Sequence, residues 1–231
     1  MLIAYKYRLY PNKEQEIYFV KCFGCVRFIY NRMLSDKIDY YKETKKKLNN
    51  TPAQYKKEFK WLKEVDSLAL ANAQMNLQTA YNNFFKRPEV GFPKFKSKKN
   101  NHFSYTTNNQ GGNIYVTDRY IKLPKIGLVR VRKHRDFEGL IKSVTVSKNP
   151  SGKYFVSVLA EQEDKPKLPP NNNQIGIDLG IKEFCITSDG EMIENPKFLR
   201  KSEKKLRKLQ KDLSSCKKGS NNREKCRIKV A

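Results

Sequence analysis

Between residues 102 and 161 the sequence alternates apolar and polar side chains in short runs, each about the length of one β-strand. Turn-forming residues, notably Gly111-Gly112 and 149–152, separate several of these runs, which are 102–107, 114–117, 120–123, 128–132, 141–148 and 153–161. Residues 3–9 alternate in the same way, with Lys6 and Arg8 on the polar side. The pattern predicts an α+β protein with an antiparallel β-barrel or curled sheet built from both segments.

Two helical patterns stand between the first strand and the others. Asn12 followed by Gln15 is typical of a capping box, and a helix is predicted from there to about Tyr41. A second helix is predicted over 66–86, with apolar side chains on one face. Both helices would then be an insertion into the barrel.

The opposite face of the second helix is polar but uncharged, and its members are Asn72, Asn76, Thr79 and Asn83. An ordinary solvated face explains this stripe. A base-reading edge also explains it, because an Asn amide matches the hydrogen-bonding edge of adenine in the major groove. Both interpretations stay open from the residues alone.

The net charge is +25, from 48 basic and 23 acidic residues, and it calls for a polyanionic partner. Nucleic acid is the first candidate and an anionic membrane surface the second. No apolar run approaches the roughly 20 residues of a membrane span, and the first residues lack the features of a signal peptide. We therefore expect a cytoplasmic protein without a membrane partner.

Five cysteines form an odd and scattered set, which argues against a disulfide framework. Cys22-x-x-Cys25 could be half of a zinc site. The pair lies inside a helical pattern beside Phe23 and Val26, which favours thiols in a hydrophobic core, so no zinc is predicted.

The segment 197–231 holds 14 Lys or Arg against three acids, a net charge of +11. A disordered basic tail is one interpretation. An apolar seam of Leu199, Leu206, Leu209 and Leu213 favours the other, a docked helix with one side facing phosphates.

Asp178 stands in the middle of an apolar run, 175–186, that is typical of a buried strand. A buried, unpaired carboxylate is costly or takes up a proton and becomes neutral, so its position here needs an explanation. An Asp-x-Gly strand followed by a hairpin is also how an RNase H-like nuclease begins, and there the aspartate binds divalent metal.

Six stretches together resemble the TnpB (OrfB) proteins of bacterial insertion sequences, and the resemblance extends over essentially the whole chain. They are AYKYRLYPNKEQE at 4–16, FGCVRFIYNRML at 23–34, NNFFKRPEVGFPKFKSKKN at 82–100, the segment 122–159, IGIDLGIKEFCITSDGE at 175–191 and NPKFLRKSEKKLRKLQKDLS at 195–214.

The resemblance implies a wedge-type β-barrel (1–10 and 101–164) with an inserted helical recognition lobe (11–100). A linker (165–173) then leads to a partial RuvC-like nuclease domain with a basic helical hairpin (174–231). The implied partners are a guide RNA and double-stranded DNA carrying a short transposon-adjacent motif, in the bacterial or archaeal nucleoid.

The same resemblance assigns roles to residues. Asp178 would be the first catalytic carboxylate and a Mg²⁺ ligand, and the Asn72/Asn76/Thr79/Asn83 stripe would read the DNA motif. The nucleic-acid backbone would be held by Lys94, Lys96, Lys98, Lys99, Lys122, Lys125, Arg130, Arg132, Lys133, Arg200, Lys201, Lys204, Lys205, Arg207 and Lys208.

The family's later catalytic carboxylates and its zinc ribbon have no match in these 231 residues. We therefore expect binding without cleavage, with Mg²⁺ not productively held. The alternative functions are a transposase or regulator that reads DNA without RNA, and a structural RNA-binding protein.

Overall fold

The computed structural model describes residues 1–164 and 174–231, so the predicted linker at 165–173 lies outside the described residues. The chain divides into two compact units, Met1–Glu163 and Asp164–Ala231. The predicted domain boundaries stay predictions.

The first unit is built on one antiparallel sheet of seven strands, and every strand predicted there is confirmed. They are β1 (Leu2–Tyr10), β2 (Phe103–Asn108), β3 (Tyr115–Val116), β4 (Tyr120–Leu123), β5 (Gly127–Arg132), β6 (Leu140–Lys148) and β7 (Tyr154–Glu161). The sheet order is β2-β6-β7-β1-β5-β4-β3. Within the described residues no ladder joins β2 to β3, so a closed wedge barrel stays a prediction.

Three α-helices lie between β1 and β2, namely α1 (Lys13–Thr44), α2 (Pro52–Glu58) and α3 (Ser67–Lys86). The predicted capping box is confirmed: the Gln15 amide donates to Asn12 Oδ1 (2.8 Å), and the Asn12 amide donates to Gln15 Oε1 (3.1 Å). The sequence analysis missed α2, because two turns are too short to show a helical period.

The helices pack against one face of the sheet and share a core with it. The Phe19 ring centroid lies 5.7 Å from that of Tyr154, and the Phe23 centroid lies 6.1 Å from that of Phe103. Cys22 and Cys25 are buried in this core, and burial raises their pKa values to about 12 and about 11. These thiols are core residues, as predicted.

The second unit contains a small antiparallel sheet with the order β10-β9-β8. Its elements are β8 (Ile177–Asp178), β9 (Glu183–Thr187), β10 (Met192–Glu194), α4 (Phe198–Ser215) and α5 (Asn221–Val230). The predicted β-hairpin is confirmed. Details that would define a RuvC domain stay predictions.

The prediction of a buried strand over 175–186 is wrong for most of its apolar residues. Ile177 is 61% exposed and Ile181 is 92% exposed, whereas Cys185 is buried. A three-stranded sheet is too small to cover both of its own faces. Among the described residues, most apolar side chains of this segment therefore lack covering neighbours.

The basic segment 197–231 forms the helices α4 and α5 and is not the disordered tail that was its alternative interpretation. Leu209 and Leu213 are half-buried on the inside of the α4–α5 hairpin, as the seam predicts. Leu199 and Leu206 are exposed, which corrects the predicted seam, because α5 is shorter than α4 and covers only its second half. Across the described residues, no helix combines the length and apolar character that a membrane crossing requires.

Candidate nucleic-acid interface

The face of the large sheet opposite the helices is polar and positively charged. Along β1, Lys6, Arg8 and Tyr10 alternate with core residues, and all three lie on this face. The strand register places Arg8 between Phe155 of β7 on one side and Arg132 of β5 on the other. Tyr10 lies opposite Arg130. We call Lys6, Arg8, Tyr10, Arg130, Arg132 and Phe155 the cationic sheet face.

Cations and rings stack against each other on this face. The Lys6 ammonium lies 4.9 Å from the centroid of the Phe155 ring, and the Arg8 guanidinium carbon lies 5.2 Å from it. The Arg8 guanidinium carbon also lies 5.4 Å from the Tyr10 ring. A flat ring framed by cations suits a nucleotide, which offers a base to stack and a phosphate to neutralise.

The charges on this face lack internal compensation. Arg8 and Arg132 are direct cross-strand partners, an arrangement of like charges that destabilises a sheet. In the described part of the chain, no carboxylate oxygen lies within 4 Å of the Arg8, Arg130 or Arg132 guanidinium nitrogens. A polyanion on this face would relieve the repulsion.

A cleft of about 730 Å³ opens beside the cationic sheet face. Tyr10, Arg119, Tyr120, Arg130 and Arg132 are among its lining residues. Two of the predicted backbone-binding residues, Arg130 and Arg132, therefore meet here.

Lys133 lines the same cleft, but it differs from its neighbours. Its ammonium lies 2.6 Å from Asp136 Oδ1 and 3.2 Å from Asp118 Oδ1. Hydrogen bonds to these two carboxylates raise the pKa of Lys133. Two acids already pair with its ammonium group, and its role in holding the nucleic-acid backbone stays a prediction.

Two other predicted lysines of this unit, Lys122 and Lys125, are exposed but are not among the residues that line the cleft. The Lys122 ammonium lies 5.5 Å from the Tyr115 ring centroid and is open to solvent. The Lys125 ammonium donates to the backbone carbonyl of Lys63, which ties it to the helical insertion. Lys122 fits the predicted role better than Lys125 does.

The basic loop before β2 is held against α1. The Lys96 amide donates to Asn31 Oδ1 (2.7 Å), and Asn31 Nδ2 donates back to the Lys96 carbonyl (2.9 Å). The Lys96 ammonium lies 4.1 Å from the Tyr30 ring centroid. Four predicted lysines are exposed along this loop, namely Lys94, Lys96, Lys98 and Lys99.

The four residues of the uncharged stripe on α3 differ in their exposure to solvent. Asn76, Thr79 and Asn83 are exposed. Asn72 is half-buried, with its Nδ2 donating to the Leu68 carbonyl (2.9 Å) and to Asn108 Oδ1 (3.4 Å). Its amide is therefore occupied within the protein, and the base-reading role of the stripe stays a prediction carried by the three exposed members.

Asp178 lies at the end of β8, opposite Ile186 of β9, and it is exposed. Within the described ranges, no three His, Cys, Asp or Glu side chains come close enough to form a metal site. The acids near Asp178 in sequence, Glu183, Asp189 and Glu191, belong to the same hairpin. The described residues therefore do not fit a two-metal centre, which needs carboxylates converging from several sides.

The second unit carries its own positive surface. Six predicted residues are exposed along the first three turns of α4: Arg200, Lys201, Lys204, Lys205, Arg207 and Lys208. No acid other than Glu203 interrupts this run of described residues. The predicted basic surface exists, and its contact with nucleic acid stays a prediction.

Two family models of OrfB proteins from IS605-type insertion sequences match the chain. One is described as a helix-turn-helix domain and matches residues 1–46, and the other is described as a probable transposase and matches residues 157–231. InsQ of Escherichia coli K12, named as a candidate RNA-guided DNA endonuclease, is 33% identical over 99% of this chain. A protein of Streptomyces pristinaespiralis with the same description is 34% identical over 99% of this chain. The chain belongs to the OrfB (TnpB) family. It spans 58% of the length of each of these two relatives.

Two details refine what OrfB membership means for this chain. Residues 1–46 hold one strand and one unbroken helix, Lys13–Thr44, so they do not form two helices joined by a turn. The solved structure of Cas12f1 in complex with its single guide RNA and target DNA is similar to this chain, with 14% sequence identity and a TM-score of 0.50. The similar region covers 94% of this chain and 58% of the Cas12f1 chain. This similarity shows a common fold.

The sequence analysis missed Tyr10 and Phe155, and it gave Lys6 and Arg8 no role beyond the polar side of a strand. The alternation along β1 was visible in the sequence. What brings Phe155 to Arg8 is the pairing of the first strand with the seventh, and a single sequence does not reveal that pairing.

Proposed function

We propose that these 231 residues are the nucleic-acid-binding part of a transposon-associated, RNA-guided DNA endonuclease. The observation that carries this proposal is the cationic sheet face, where uncompensated arginines surround stacked aromatic rings. Relatives named as RNA-guided endonucleases, and the guide RNA and target DNA in the Cas12f1 complex, support RNA as one ligand and DNA as the other. The proposed place of action is the bacterial or archaeal cytoplasm, at the nucleoid.

Three surfaces of the protein have different tasks: the cationic sheet face, the exposed stripe of α3 and the α4–α5 hairpin. The cationic sheet face binds the guide RNA, since stacking and phosphate contacts tolerate an irregular single strand. The exposed residues Asn76, Thr79 and Asn83 of α3 contact the DNA motif. The α4–α5 hairpin adds sequence-independent phosphate contacts through its exposed lysines and arginines.

The first experiment measures binding of an RNA transcribed from the DNA that flanks this reading frame, over a series of salt concentrations. For the double substitution Arg8→Ala with Arg132→Ala, we expect weaker binding. We also expect the slope of log affinity against log salt to become shallower by about 1.4, at about 0.7 for each lost phosphate contact. Phe155→Ala should cost about 1–3 kcal/mol of binding free energy, as expected for one stacked base.

Lys21→Ala is the matched control for charge. It removes a positive charge from α1 that is already paired with Glu64 at 2.7 Å, so the salt slope should stay as in the wild type. An unchanged slope in the double variant would overturn the assignment of RNA to the cationic sheet face. RNA and unrelated duplex DNA binding with equal affinity would overturn the wider proposal.

We further propose that these 231 residues bind DNA without cutting it, because the described carboxylates do not converge around Asp178. A nicking assay with supercoiled DNA, guide RNA and Mg²⁺ should show intact substrate. Magnesium-dependent nicking that disappears in Asp178→Ala would contradict this and make Asp178 a working metal ligand.

An RNA-independent transposase or regulator is the second candidate, and the probable-transposase description of the family model that matches residues 157–231 favours it. Ribonuclease treatment separates the two candidates. Loss of sequence-specific DNA binding after treatment supports the RNA-guided protein, and binding that survives supports a protein that reads duplex DNA alone.

A further inference from the structure

Two thiols meet in the basic hairpin of the second unit. The Sγ atoms of Cys216, at the end of α4, and Cys226, in α5, lie 3.6 Å apart. Both residues are half-buried and neither takes part in a disulfide. In a disulfide the two sulfur atoms are about 2.05 Å apart, so a bond requires these sulfurs to come about 1.6 Å closer.

Hydrogen bonds already connect α5 to the end of α4 next to the thiol pair. Arg223 of α5 donates through Nη1 to the Leu213 carbonyl (2.9 Å) and to the Cys216 carbonyl (3.1 Å). Ser220 Oγ accepts from the Arg223 amide (3.2 Å) and caps α5. These bonds fix the connection between the two cysteines before any bond forms between the sulfurs.

We propose that Cys216 and Cys226 form a redox modification site, which closes to an intramolecular disulfide by exchange with a low-molecular-weight disulfide such as oxidised glutathione. One cysteine thiolate attacks the glutathione disulfide, forming a mixed disulfide and releasing one glutathione thiolate. The second cysteine thiolate attacks the protein sulfur of that mixed disulfide and releases the second glutathione. Two protein thiols are oxidised, one glutathione disulfide is reduced, and the two thiol protons end on the glutathione thiolates.

The environment of the thiol pair suits a slow exchange reaction that depends on the pH and on the redox state of the cell. A hydrogen bond to Cys226 raises the pKa of Cys216, so exchange accelerates as the pH rises towards the range where thiolates form. A reducing cytosol keeps such a pair open, and an oxidising shift closes it. The closed form would fix a hairpin whose segment, 197–231, carries a net charge of +11.

The test uses the 231-residue chain, reduced, freed of reductant and incubated with oxidised glutathione at mildly alkaline pH. Intact mass should fall by two hydrogens, and peptide mapping should find residues 216 and 226 cross-linked. Three of the five cysteines should stay free for alkylation after denaturation. Cys185→Ser is the matched control, because it removes a buried thiol of the same unit and should leave the cross-link unchanged.

Cys216→Ser and Cys226→Ser each remove one partner, and both should stop at a stable glutathione adduct on the remaining cysteine. Amide exchange gives a second readout: oxidation should slow exchange between 213 and 227 in the wild type and leave it unchanged in Cys226→Ser. A lasting glutathione adduct in the wild type would overturn the proposal. A disulfide-linked dimer as the main product would overturn it as well.

Discussion

At the scale of single residues, burial separates cysteines of one chain into inert and reactive classes. Burial in the core raises the pKa values of Cys22 and Cys25 to about 12 and about 11, whereas Cys216 and Cys226 are only half-buried. Reagents can therefore reach the hairpin pair, and iodoacetamide at mildly alkaline pH, where thiolates form, should label it in the native protein. Cys22 should be labelled only in denaturant, as followed by peptide mass, and native labelling of Cys22 at the rate of Cys216 would contradict this.

The Arg8–Arg132 pair gives a second prediction at this scale. Arg132→Gln removes one of two directly opposed positive charges, so the free protein should become more stable by about 0.2–1 kcal/mol. The same change should weaken RNA binding, since it removes a phosphate contact. Urea unfolding of the free protein measures the first effect, with Lys21→Gln as a control that gains nothing because Lys21 is paired with Glu64. A drop in stability for Arg132→Gln would show that the arginines do not repel each other.

At the scale of elements, Asp66 connects α3 to β2. Its Oδ1 accepts from the Leu68 amide at the start of α3 (3.2 Å), and its Oδ2 accepts from the buried Thr107 hydroxyl. Asp66→Ala removes the cap and leaves Thr107 without this acceptor, so it should lower the free energy of unfolding by about 2–4 kcal/mol. Asp66→Asn keeps an acceptor at the cap and should lose less. Urea unfolding measures both, and equal losses would show that the cap contributes little.

The sequence predicted the secondary-structure elements of the first unit, but it did not predict which strands lie next to each other in the sheet. Alternation located all seven strands of the large sheet, and helical periodicity located α1 and α3, because both patterns are local. The order β2-β6-β7-β1-β5-β4-β3 depends on pairings between distant segments, which no local pattern encodes. The cationic sheet face was missed for that reason. The apolar run around Asp178 predicts a buried strand, but a sheet of only three strands leaves Ile177 and Ile181 exposed.

At the scale of the whole molecule, the two units differ in how much apolar surface they cover. The first has a core shared by sheet and helices, whereas exposed apolar side chains line much of 175–186 in the second. We expect amide exchange in 175–231 to be much faster than in β1 and β7, and guide RNA to slow it. Hydrogen-exchange mass spectrometry on the free and RNA-bound chain measures this, and uniform protection of both units in the free protein would contradict it.

The position of β1 in the sheet has a consequence for synthesis on the ribosome. Translation makes β1 before both of its partner strands: its register runs from Leu2 opposite Glu161 to Leu9 opposite Tyr154, and β5 pairs along its other edge. The opening strand cannot take its place until the segment up to 161 has emerged. Helix α1 can form long before then, but the sheet that buries Phe19 and Phe23 cannot. Until the strands up to residue 161 have emerged, the sheet-facing side of α1 stays uncovered on the nascent chain, and such exposed apolar surface is prone to aggregate.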